Sequence, residues 1–101
     1  MAYRAVILDE ARREYREIVS YMVEVLKSSQ AAANFMDAFD AQLALAVETP
    51  ELFPLSRMPE LAKKGYRSMP VNNYLVLYRI ADNMVVVAHV FHQTQDYARL
   101  V

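Results

Sequence analysis

The eight residues NYLVLYRI, Asn73 to Ile80, decide how this chain folds. Successive side chains of an extended strand point to opposite faces, so Tyr74, Val76, Tyr78 and Ile80 share one face and Leu75, Leu77 and Arg79 the other. Both faces are largely apolar. Such a strand belongs in the middle of a sheet and is not fully exposed on either side. The connectors around it, Val71-Asn72-Asn73 and Ala81-Asp82-Asn83, are short and built from residues that tolerate turn geometry. Gly65 to Met69 on one side and Met84 to Phe91 on the other are rich in β-formers, which predicts an antiparallel meander of three strands.

Upstream, the period changes from two to about 3.6. Ala11, Tyr15, Ile18, Met22 and Leu26, widened by Val19 and Val23, form one apolar stripe and predict a helix from Glu10 to Lys27. Asp9 offers a side-chain oxygen to its first N–H groups, and Glu10, Glu14 and Glu17 place negative charge in its early turns. Ser28 and Ser29 break the pattern and can cap a second helix, whose stripe is Ala32, Phe35, Met36, Phe39, Leu43, Ala46 and Val47; Asp37 and Asp40 fall away from it. So short a connection makes the two helices an antiparallel hairpin with one shared apolar face. Residues 2–8, AYRAVIL, read as a leading strand. Thr49 to Lys64 carries Pro50, Pro54 and Pro59 and is expected to be irregular, with a turn around Pro59 to Ala62. The expected order is β-α-α-β-β-β, an α+β fold with a helical hairpin on a small, mainly antiparallel sheet. No element remains to cover the sheet's other face.

With 101 residues, the chain reads as a single domain, residues 1–101. It has no cysteine, which removes disulfides, thiolate nucleophiles and Cys-ligated metals. The opening MAYRAVILDEARRE contains no long apolar run, so neither a signal peptide nor a membrane span is expected, and the expected location is cytoplasmic. The net charge of -1 hides an asymmetry. From Asp9 to Glu51 four basic residues stand against nine acidic ones, whereas from Arg57 to Arg79 five basic residues stand against one acidic.

One glycine cannot build a phosphate-cradling loop, and no dinucleotide, zinc-protease or hydrolase motif is present. His89 and His92 are three apart along a strand and tend toward opposite faces, so no metal pair is expected. His89, among valines, reads as a half-buried structural histidine; His92 stands where the strand runs out into HQTQDY and is a candidate functional group. Arg67 and Arg79 lie inside strands, where an arginine must reach solvent, a carboxylate or a phosphate. With Lys63, Lys64 and Arg57 they make a basic cluster suited to a phosphodiester or an acidic partner segment, interleaved by Tyr66, Tyr74, Tyr78 and Tyr97.

The arginine of GYRSMPV, the strand NYLVLYRI, the valine-rich last strand and the histidine followed by QTQDY occur in an order that resembles the RelE/ParE superfamily of toxins from bacterial type II toxin–antitoxin systems. The resemblance extends over the leading strand and the helical hairpin. It implies a plasmid-stabilising or chromosomal toxin neutralised by a small cognate antitoxin, the complex binding operator DNA through the antitoxin. One branch cleaves mRNA on the ribosome; another inhibits DNA gyrase and is no nuclease; the remaining alternative is a non-toxic module whose exposed sheet only binds an antitoxin-like peptide. For the nuclease branch the resemblance maps catalytic roles onto Arg67, His92 and Tyr97, and substrate-binding roles onto Arg79, Lys63 and Lys64. Arg67 would clamp the phosphate, His92 would move a proton, and Tyr97 would stack or act as acid or base. No cofactor or metal is implied. Gln93 and Thr94 stand where many relatives carry basic residues, and a near-neutral chain suits the gyrase branch at least as well.

Overall fold

The structure, a computed structural model, describes residues 3–93. Four strands and three helices follow one another as β1 (Arg4–Ile7), α1 (Asp9–Glu24), α2 (Ser29–Glu48), α3 (Pro59–Lys63), β2 (Arg67–Val71), β3 (Tyr74–Ala81) and β4 (Met84–His92). The sheet order is β1-β4-β3-β2. The meander β2-β3-β4 is antiparallel, and β1 joins it in parallel beside β4, from Arg4 opposite Met84 to Ile7 opposite Val87. The fold is α+β with a mixed sheet. A parallel partner needs a crossover, and the helical hairpin supplies it.

β3 lies at the centre of the sheet as its sequence requires. Val76 and Tyr78 are fully buried against the helical hairpin, with Tyr74 and Ile80 packed at the margins. From the helices come Ala11 and Met22 of α1 and Ala32, Phe35, Phe39 and Ala46 of α2, all buried. Tyr15 sits between Phe35 and Phe39, its ring 5.3 and 4.9 Å from theirs. Asp37 and Asp40 are exposed, as their positions off the stripe predict.

Several expectations are corrected. Asp9 does not cap α1. It is the first helical residue, Leu8 holds the N-cap position, and the Arg12 N–H donates to the Leu8 carbonyl, so the helix starts directly from the strand. Its stripe is buried only as far as Met22: Val23 and Leu26 are exposed, and the helix stops at Glu24. Lys27 then takes a left-handed φ of 54°, and the Ser28 N–H returns to the Met22 carbonyl at 2.9 Å, which closes the turn at the end of the helix. Ser28 does cap α2, its hydroxyl accepting from the Ala31 N–H at 3.0 Å.

β2 begins two residues later than predicted and runs through Pro70. A proline is tolerated because β2 is an edge strand, where the missing N–H costs no ladder bond. The second face of the sheet is not bare. The turn expected around Pro59 is the helix α3, which starts on that proline, ends at Lys63 and is followed, after Lys64, by Gly65, whose φ of 85° few other residues accept. It brings Leu61, 1% exposed, onto Leu77 and Phe91, flanked by Met58, Tyr66 and Leu75. Leu75 and Leu77 therefore have a small core of their own.

Candidate functional site

Arg67 opens β2 opposite Tyr78, on the face that carries the helices. Its side chain is only 18% exposed. One guanidinium nitrogen donates to the Phe53 carbonyl at 2.8 Å, and the other lies 3.8 Å from the Glu51 carboxylate. Tyr78 does parallel work beside it, its hydroxyl donating to the Pro50 carbonyl at 2.6 Å. Burial pushes the Tyr78 hydroxyl above its ordinary pKa, against the opposite influence of the Arg67 charge. Together they fasten the proline-rich segment after α2 over the end of the sheet.

Arg79 lies on the opposite face. Its guanidinium carbon stands 5.0 Å from the centre of the Tyr66 ring, a cation–π geometry, and one nitrogen points at the Lys64 carbonyl at 3.5 Å. Lys63, in the last turn of α3, and Lys64 after it are exposed. The structure thus gathers Arg79, Lys63, Lys64 and Tyr66 at one end of α3 and leaves Arg67 outside that cluster.

His92 pairs with Tyr74 across β3–β4, the two rings meeting edge to face at 5.3 Å. It lines a groove of about 460 Å³ whose other wall is α1, with Glu10, Arg13 and Glu17. Arg67 and His92 therefore stand opposite residues four apart on β3, on strands either side of it. At about 3.3 Å per residue and about 4.8 Å per strand spacing, their backbones are roughly 16 Å apart. Met69 and Val76, both fully buried, occupy that face between them. Tyr97 lies outside the described residues.

His89 occupies the same groove wall, half-buried as its valine neighbours predict. Its Nδ1 is 3.3 Å from a Glu14 carboxylate oxygen, and the other oxygen accepts the Val90 N–H at 2.9 Å. β1 ends opposite Val87, so among the described residues β4 has no strand on its outer side beyond that point; the Glu14 carboxylate takes the place of a strand partner there. An extra residue, Ala88, interrupts the pairing between Leu77–His89 and Tyr78–Val87 and makes a bulge next to this clamp. Sequence reading places Glu14 on α1 only as a helix-dipole charge and misses this role. The available signal is its position between Ala11 and Ile18 on the border of the buried stripe. Among the described residues no group of three His, Cys, Asp or Glu side chains is arranged to hold a metal ion.

A family model described as the ParE toxin of the type II toxin–antitoxin system parDE matches residues 6–97. The chain belongs to this family. Among solved structures, a chain of the chromosomal ParDE toxin–antitoxin system from P. aeruginosa is similar with a TM-score of 0.70 at 14% identity, over 91% of this chain and 96% of its own. A chain of the RelBE2 toxin–antitoxin complex from Mycobacterium tuberculosis gives 0.63 at 23% identity, over 91% and 99%. YafQ from E. coli strain BL21(DE3) gives 0.56 at 13% identity, over 95% and 94%. At these identities the likeness to solved structures shows the fold alone. By sequence, no curated protein matches the chain. The chain is thus a ParE-family toxin of a type II toxin–antitoxin system, and no helix among the described residues is long and apolar enough to cross a membrane.

Proposed function

We propose that this ParE-family toxin acts by binding DNA gyrase, without nuclease chemistry, and is held inactive by a small cognate antitoxin whose complex with it binds operator DNA. The observation that carries this reading is the engagement of Arg67. A phosphate clamp needs a guanidinium free to offer two parallel N–H donors, whereas that of Arg67 holds the Phe53 carbonyl and faces Glu51. His92, the candidate proton carrier, is roughly 16 Å away by strand geometry, on the far side of buried Met69 and Val76. General acid–base catalysis requires both groups within hydrogen-bond reach of one scissile phosphodiester. A toxin that works by occupying its target needs no such convergence.

A second reading, ribosome-dependent mRNA cleavage, is favoured by one observation. Arg79 stacked on Tyr66 beside Lys63 and Lys64 is a surface on which RNA phosphates and bases have partners. One preparation separates the two. The purified toxin is added to a gyrase supercoiling assay, and mRNA 5′ ends are mapped in cells expressing it. The proposal expects blocked supercoiling, intact mRNA, and inhibition retained in His92→Ala. Ribosome-dependent cuts that disappear in Arg67→Lys and His92→Ala, with supercoiling untouched, would reverse the assignment.

A further inference from the structure

The two faces of the sheet differ in charge as well as in cover. The helices on one face carry eight acidic residues against three arginines. The other face is cationic. Arg4 stands opposite Met84 and Arg79 opposite Val86, and residues two apart on β4 share a face, so both arginines belong to it. The Arg4 guanidinium meets the Met84 sulfur at 3.9 Å, and Met84 and Val86 are half-buried. Lys63 and Lys64 join from the end of α3, which packs on this face through Leu61. Arg13 and Arg67 are paired with carboxylates. Among the described residues, none of Arg4, Lys63, Lys64 and Arg79 is; Glu60 in the first turn of α3 and Asp82 in the turn between β3 and β4 pair with none of them.

Two strand spacings of about 4.8 Å and two residues of about 3.3 Å separate Arg4 from Arg79, which puts their backbones roughly 12 Å apart. One phosphate or carboxylate cannot serve both. Arg79 is also pre-oriented. Its guanidinium lies over the Tyr66 ring at 5.0 Å and one nitrogen points at the Lys64 carbonyl at 3.5 Å, which leaves the other N–H groups of the fork for an oxyanion. The complement of such a face is an array of anions. A peptide adds to a free strand edge or lies in a groove, and between Arg4 and Arg79 there is no edge, because β4 is paired there with β1 on one side and β3 on the other. A phosphodiester backbone needs only side-chain donors. Duplex DNA presents one charge per about 1.7 Å of its axis, and it is the polyanion on which gyrase works.

We infer that the face carrying Arg4, Lys63, Lys64 and Arg79 lies on the phosphate backbone of the DNA duplex held by gyrase, so that the toxin binds enzyme and DNA together. The inference rests on the gyrase reading above and adds DNA as a second contact. Free toxin binds DNA weakly, because a few phosphate contacts give only non-specific affinity and the whole chain carries a net charge of -1. Once on gyrase it meets the duplex at high effective concentration. The acidic helices turn away from the phosphates, which selects one orientation. A second copy of this chain is the poorer occupant, since two cationic faces repel.

The test measures binding of the purified toxin to gyrase alone and to gyrase carrying a linear duplex, over a range of salt. The duplex is expected to tighten binding about tenfold or more. Lys63→Gln/Lys64→Gln/Arg79→Gln is expected to bind gyrase alone as the wild type does and to lose most of that gain. Each phosphate contact adds about -0.9 to the slope of log affinity against log salt, so the gain falls with a slope of about -3.6 in the wild type and about -0.9 in the triple variant. Should the change at Arg79 disturb the fold through Tyr66, the exposed pair Lys63→Gln/Lys64→Gln is expected by itself to reduce the slope by about 1.8. Equal affinity with and without the duplex, supercoiling still being blocked, overturns this inference and leaves the gyrase reading standing. A toxin that binds gyrase in neither form overturns both. A gain reproduced by polyglutamate in place of the duplex makes an acidic segment the occupant and overturns the inference. Binding to ribosomes that depends on the same lysines, with no gain from the duplex, makes RNA the occupant and overturns it as well.

Discussion

Replacing Glu14 by alanine is expected to destabilise the free toxin by about 2–4 kcal/mol. A hydrogen bond to a charged acceptor contributes about 1.5–3 kcal/mol, and an abandoned buried donor costs about 1–3. The Val90 N–H is such a donor, since Val90 is 2% exposed and the strand partner that would otherwise serve it ends opposite Val87. The contact with His89 adds to this, both side chains being about 15% exposed or less. For a chain of this length the loss corresponds to a fall in Tm of roughly 10–25 °C, set against a total stability of about 5–15 kcal/mol. Glu14→Gln keeps a neutral acceptor for Val90 and is expected to cost about half as much. Urea unfolding followed by far-ultraviolet circular dichroism measures both variants. His89→Leu completes a cycle that isolates the carboxylate–imidazole coupling, expected at about 0.5–1 kcal/mol. An alanine variant within about 0.5 kcal/mol of wild type, the range of ordinary surface changes, would refute the idea that a carboxylate replaces a strand at this edge.

Other consequences are open to the same unfolding measurements. Leu61→Ala is expected to cost about 2–3 kcal/mol, because it empties the small core that α3 builds on Leu77 and Phe91; a negligible loss would mean that α3 does not cover this face. Lys27→Gly relieves a left-handed residue in the turn between α1 and α2 and is expected to gain about 0.5–1 kcal/mol, and a loss in urea midpoint would contradict this. Tyr15, Tyr74 and Tyr78 all have pKa values raised by burial above the ordinary 10.0. Above that pH the unfolded chain releases protons that the folded one retains. The stabilisation is therefore fully present below pH 10 and is lost as pH rises through the folded-state values. Tyr78→Phe is expected to reduce this alkaline loss, and an unchanged profile above pH 10 would count against it.

Much of the architecture is legible in local periodicity. The alternation of NYLVLYRI identifies the central strand and sorts its two faces, and the stripes on either side of Ser28 and Ser29 identify the helical hairpin. Local signals fail where a neighbour decides. Nothing in residues 65–71 says that β2 should start at Arg67, because its bounds come from pairing with β3 and from the residues 54–56 that cover its edge. The candidate site is less legible still. Arg67, Arg79 and His92 stand out by type and position, yet an arginine inside a strand looks the same whether its guanidinium meets a phosphate or the Phe53 carbonyl.

The sequence alone determined the order of the strands and of the helical hairpin, the apolar faces, the capping serine, the absence of any cysteine-based chemistry and the charge asymmetry. These depend on chain-local geometry: a period of two or 3.6, a missing N–H, a side chain of fixed length. Tertiary structure decided that Arg67 fastens a loop, that Arg79 and Tyr66 stack on the opposite face, that Glu14 completes the edge of β4 and that β1 lies at the outer edge of the sheet beside it. Those outcomes depend on which distant backbone groups find partners and which do not, and that is settled only when strands dozens of residues apart come together in one sheet.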